Sequence, residues 1–227
     1  MPREPPTANP DAGSFIIGIN KIGPQGCSCL PQKSMLLLSD MFELGIYANP
    51  ILHQMDKSNL EVWQRGPVEG VPDLLQPVAH ALLQAAEDAK KYTRDFPDEL
   101  LWQKPFGVAS VGFHLNHLTG VVNRLFTYAD NKKLSTDQLK FLKAEENPEN
   151  LPLKVADLVG VFEETVQEGV KFLRQTSTDD LTEFRGLGRA QLPTTKLGLL
   201  FHAAEHSQRH IGQLLVTVRI LRKGFSS

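Results

Sequence analysis

Cysteine is scarce in this chain. Only two occur among 227 residues, Cys27 and Cys29, one residue apart in GCSCL. A disulfide across a single intervening residue is strained, and two thiols alone cannot complete a structural zinc site. They read as free thiols, which fits a reducing, cytoplasmic setting. An excess of charge is lacking too. Lys and Arg number 24 and Asp and Glu 26, leaving a formal net charge of −2 and a pI of about 6.4. That balance gives no electrostatic reason to expect a nucleic-acid partner. No run of eighteen apolar residues occurs, so no membrane-spanning helix is expected. The first twenty residues, MPREPPTANPDAGSFIIGIN, have neither the apolar core nor the small-residue cleavage site of a secretory signal.

Proline is abundant at one end only. Ten of the fifteen lie at or before Pro77. Residues 1–34 show no sustained hydrophobic period, and residues 35–63 suit at most one or two short helices broken at Asn49-Pro50. Residues 1–66 are therefore expected to be a largely irregular N-terminal extension, and residues 67–224 one helical domain. There the period is that of a helix. Residues 72–96 space Leu74, Leu75, Val78, Leu82, Ala85 and Ala89 on one face. Residues 110–130 do the same with Val111, Leu115, Leu118, Val122, Leu125 and Ala129, and Ser110 suits an N-cap. A short helix is predicted over 134–146, capped at Ser135 or Thr136. Long ones follow over 153–176 and 195–222, joined by a loop. Four long helices and no convincing strand predict an all-α, four-helix bundle.

Histidine is the concentrated residue. His202, His206 and His210 stand four apart in HAAEHSQRH. At 100° per residue they advance 40° each and form a narrow stripe at the edge of the apolar face. His114 and His117 in GFHLNHL lie three apart on the second long helix, again beside the apolar sector. His53 and His80 are isolated, and His80 is read as structural. Neutral imidazoles at a bundle's inner edge need partners. Hydrogen bonds can supply them. So can a divalent metal, since imidazoles at i and i+4 chelate one ion from one helix. His117, His206 and His210 would give three nitrogen ligands with open positions, and His114 and His202 would support them from behind or serve as alternates. Several known site types are excluded. Ser207 follows His206, so there is no HExxH. No Glu-x-x-His pair and no GxSxG occur. No carboxylate lies in HLNHL, and Glu205 is about 100° off the stripe, so no general base is expected close by.

HLNHLTG and HAAEHSQRHIGQL together resemble the DinB/YfiT-like metalloenzymes over roughly residues 70–222. The resemblance implies a four-helix bundle whose metal is held by one histidine of a His-Leu pair and by a His-x-x-x-His followed by Gly-Gln. These are His117, His206 and His210, with Gly212-Gln213 after the last. Many members carry a further histidine directly before the last ligand, where this chain has Arg209. Some relatives use a low-molecular-weight thiol in transfer or isomerisation.

The chemistry of such a centre is bounded. Three imidazoles and open positions let an ion lower the pKa of a bound water towards ~7 for hydrolysis. They equally let it turn a thiol into a thiolate for transfer. Zinc is expected by ligand type, with nickel or iron as alternatives. Arg124, Tyr128 and Arg209 are candidate helpers, against the plainer reading of all three as solvated surface residues. The expectation is a metal-dependent S-transferase or hydrolase acting on a small molecule, and a homodimer. The rival is a non-catalytic bundle that binds a small ligand or serves a stress response.

Overall fold

Five α-helices and one small hairpin make up residues 59–145 and 154–224, which are the residues described in the computed structural model. The first helix, α1 (Gln76–Tyr92), is entered through a tight turn at Asp73–Leu75 and carries Pro77 in its first turn. An imide nitrogen costs nothing there, because the first amides of a helix have no intrahelical acceptor. The next helix, α2 (Val111–Ala129), starts where Ser110 Oγ accepts the Phe113 amide at 3.1 Å. Next comes α3 (Thr136–Ala144), opened by a reciprocal pair of bonds between Ser135 and Gln138. Then come α4 (Val155–Gln175) and α5 (Lys196–Gly224).

The bundle is built from α1, α2, α4 and α5. Helix α2 packs against α5 and α4, and α1 packs against the same two. The ring order is thus α1, α5, α2, α4, with the consecutive helices α1 and α2 across a diagonal. Phe162, Leu82, Leu115, Leu118, Leu200 and Leu214 fill the centre with no exposed surface. Each such side chain contributes about 2 kcal/mol on burial. The helical stripes expected from the sequence lie inside, with one exception. Leu74 is 65% exposed, because it sits in the tight turn before α1, where three residues per turn break the phase.

The loop expected over 177–195 contains two strands. β1 (Phe184–Leu187) pairs antiparallel with β2 (Leu192–Thr195), with Phe184 opposite Thr195 and Leu187 opposite Leu192. Gly188 takes a φ of +67° in the turn, which only glycine adopts freely. Four-residue strands with a single buried residue between them carry no clear alternation, so the sequence pattern does not reveal them. Side chains clasp the hairpin to the bundle. Arg185 Nε donates to the Ala129 carbonyl at 3.0 Å, at the end of α2. Lys196 Nζ lies 2.9 Å from both oxygens of Asp180, and Arg185 reaches the same carboxylate at 3.3 Å.

Residues 59–66 lie against α1. Val62 is buried, its amide donates to Gln84 Oε1 at 2.9 Å, and Arg65 forks onto Glu87 at 2.5 and 2.7 Å. His80 Nε2 lies 3.1 Å from the Gly66 carbonyl. Cys27, Cys29, His53 and the short helices considered over 35–58 fall outside the described residues. Among the described residues no helix is long and apolar enough to cross a membrane.

Candidate metal centre

Side-by-side packing of α2 and α5 brings their histidines together. His117 Nε2 lies 3.1 Å from His206 Nε2, and His114 Nδ1 lies 3.1 Å from His210 Nδ1. The His210 ring centre is 4.5 Å from that of His117 and 4.6 Å from that of His206. One donor nitrogen from each of His117, His206 and His210 falls within 4.8 Å of the other two. Two imidazole nitrogens on one tetrahedral ion stand about 3.4 Å apart, so small ring rotations would bring the three onto a single ion.

Three of the rings are held below the ordinary histidine pKa. Burial, followed by the neighbouring His117, lowers the pKa of His114 and of His206 to about 4. The same causes, with His206 and His114 adding to them, lower that of His210 to about 3. Neutral imidazole offers a lone pair, and imidazolium does not. Hydrogen bonding does not close the cluster by itself. His206 Nδ1 is buried and has no hydrogen-bond partner among the described residues. Nitrogen donors from three imidazoles on two helices fit a borderline-soft divalent ion.

A second group of possible ligands shares His206. His202, Glu205 and His206 also come within 4.8 Å of one another, and in sequence they read H-x-x-E-H. Their carboxylate is already engaged. Glu205 accepts from His202 Nδ1 at 2.6 Å and from Arg209 at 2.7 and 3.0 Å. Partial burial acts to raise its pKa, but these two partners outweigh it and hold the carboxyl below its ordinary range. The His202 side chain is 45% exposed. The inner group is therefore the better ligand set.

No acid was expected at the site, yet Glu145 is there. It directly follows α3, is buried, and its Oε2 lies 2.7 Å from His117 Nδ1. Arg124 Nη1 donates to its other oxygen. Phe113 stacks on the His117 ring with centres 5.2 Å apart and planes 13° from parallel. The contact spans 28 residues of chain, so no local motif announces it. One signal was present in the sequence. Arg124 lies seven residues after His117, within about 20° on the same helix face, and a cation among Val and Leu needs an acid.

The candidate helpers separate. Arg124 is buried and bonded to Glu145, against the surface reading. Tyr128 is packed partly against the core and lines a cavity beside Asn131, Lys133 and Arg189 at the hairpin. It lies about 16 Å along α2 from His117. Arg209 is exposed and paired with Glu205.

Residues 61–214 match the family model of the DinB superfamily. The chain belongs to that superfamily. Among solved structures, the chain is similar to a DinB-like protein from Bacillus cereus ATCC 10987, with 19% identity and a TM-score of 0.47. That match covers 60% of this chain and 85% of the other. No curated protein matches. The DinB segment contains all five clustered histidines together with Arg124 and Glu145.

Proposed function

We propose that this DinB-superfamily chain is a metal-dependent enzyme in which His117, His206 and His210 hold one divalent cation, with zinc first and nickel or iron as alternatives. The observation that carries the reading is the meeting of three rings from two helices, each able to present a nitrogen to a common point. A bound ion of this kind supplies Lewis acidity, which acidifies a coordinated water or thiol near neutral pH. The remaining steps belong to the protein. His114 Nδ1, 3.1 Å from His210 Nδ1, restrains that ring. A groove of about 510 Å³ runs past His114 between Val108, Val216 and Ile220. Its apolar walls suit the body of a small organic substrate, and Arg209 and Gln213 at its border suit a polar end. Glu145, on the far side of His117, is placed to hold that ring and not to meet substrate.

The reaction class is thiol S-transfer with a low-molecular-weight thiol as co-substrate, in a cytoplasmic homodimer whose working domain is residues 67–224. Hydrolysis is the second outcome of the same centre. Full-length protein purified without a histidine tag is expected to carry close to one equivalent of divalent metal by elemental analysis. The double variant His206→Ala/His210→Ala is expected to carry almost none. Equal metal in both proteins would refute the ligand assignment. Consumption of thiol by an electrophile, dependent on added metal, then tests the transfer reaction. A metal-loaded protein that turns over neither thiols nor hydrolysable esters would support the non-catalytic binding module instead.

A further inference from the structure

We infer that Glu145 is a positioning residue of the metal centre, and that Gly120 and Arg124 exist in their present form to seat it. The part of this inference that concerns metal affinity rests on the proposed ligand set; the part that concerns the His117 ring does not.

Geometry starts at the carboxylate. Glu145 Oε2 is 2.7 Å from His117 Nδ1. A carboxylate only accepts, so the imidazole must donate, and the proton sits on Nδ1. The lone pair is thereby placed on Nε2, the nitrogen that faces His206 Nε2. A ring free to choose would put most of its proton on Nε2 and close that position to an ion. The same hydrogen bond sets the rotation of the ring about its Cβ–Cγ bond, and Phe113 stacked against its face blocks tilting. An acidic acceptor also makes the ring a stronger base at its other nitrogen.

Glu145 needs a reason to stay in a buried place. Arg124 supplies it, one side chain donating to Oε1 while His117 takes Oε2. Both are on the inner face of α2, seven residues apart. Between them lies Gly120, whose missing side chain makes the room. A Cβ there would stand 2.5 Å from Arg124 Nη1, 2.9 Å from Phe141 Cε1 and closer still to Glu145 Oε1. None of these is a tolerable contact, and the carboxylate is already fixed at both oxygens. Alanine is the better helix former at an interior position. Glycine stands there because the carboxylate passes directly over the helix backbone. HLNHLTG thus contributes a ligand at His117 and the clearance for its support at Gly120.

The test uses the full chain. In metal-free protein in mildly alkaline solution, nitrogen-15 spectra of the imidazoles are expected to show His117 protonated at Nδ1. In Glu145→Ala the proton should move largely to Nε2. Zinc affinity, measured by competition with a chromophoric chelator, should fall by about 10- to 100-fold in Glu145→Ala and in Gly120→Ala. The double variant Arg124→Met/Glu145→Leu leaves no unpaired buried charge and guards against misfolding; the same loss is expected in it. A His117 proton that stays on Nδ1 in Glu145→Ala, or zinc affinity within twofold of the parent in both single variants, would overturn the inference. If the parent itself takes up no zinc, the ligand set is wrong, and the position of the His117 proton still decides the role of Glu145.

Discussion

Two polar clusters are built into this bundle, on opposite plans. Under the hairpin, Asp180, Arg185 and Lys196 match charge with charge. Lys196 is bound to both oxygens of Asp180, and Arg185 divides its donors between Asp180, Glu183 and two backbone carbonyls. Between α2 and α5, imidazole rings face one another nitrogen to nitrogen, and His206 Nδ1 has no partner among the described residues. The first cluster consumes its own hydrogen-bonding capacity and so serves the fold. The second retains capacity in a place where retaining it is costly. His206 Nδ1 is a buried atom that still lacks a partner, as Trp102 Nε1 and Asn116 Nδ2 do elsewhere among the described residues.

That contrast can be broken most directly at the histidines. His210→Ala should reduce zinc affinity by more than about 100-fold, beyond the range seen when only a supporting residue is lost, while thermal unfolding of the metal-free protein stays close to the parent. Unfolding at a much lower temperature with zinc affinity unchanged would exchange the roles of the two clusters. Lys196→Met is the converse. It removes the hydrogen bonds to Asp180 and should lower the urea midpoint of unfolding, with metal content unchanged.

Acid sharpens the comparison. Unfolded histidine takes up its proton near a pKa of about 6.5, whereas folded His114 and His206 do so only at about 4 and His210 at about 3. Between these values the unfolded chain holds more protons, so the metal-free protein loses stability as pH falls from 6.5 towards 4. Above 6.5 these three histidines impose no slope. Asp180 is held below its ordinary carboxylate range, chiefly by its bond to Lys196. Its contribution is therefore present above that range and is lost only at more acidic pH. Melting curves should slope with pH in the 6.5–4 window for the parent and for Lys196→Met, and flatten when His114, His206 and His210 are all replaced. A flat parent curve would contradict the depressed values.

The smallest effect is expected at His202. His202→Ala should leave metal content and zinc affinity within twofold of the parent, since the inner trio does not use it. A large loss would move the ion outward to His202, Glu205 and His206.

How much of this was legible in the sequence depends on the range of each interaction. The helices were visible because a stripe such as Val111, Leu115, Leu118 and Val122 repeats within one element, and the Ser110 cap acts over three residues. The facing histidines were visible for the same reason, two short patterns on two helices. The hairpin was hidden because Leu187 and Leu192 pair in strands too short to show a period. Glu145 was hidden because it reaches His117 across 28 residues from beyond a helix that buries none of its own side chains. Only Arg124, a cation on an inner face, pointed to it.

Helix α5 runs without interruption from Lys196 to Gly224. Its first residue is fixed by the salt bridge to Asp180, and His206 and His210 follow ten and fourteen positions later. Each residue inserted or deleted between Lys196 and His202 would turn everything beyond it by 100°. The chain can therefore accept many amino-acid replacements in that interval but hardly any change in its length, so sequence drift around this centre should proceed by exchange of residues and not by gaps.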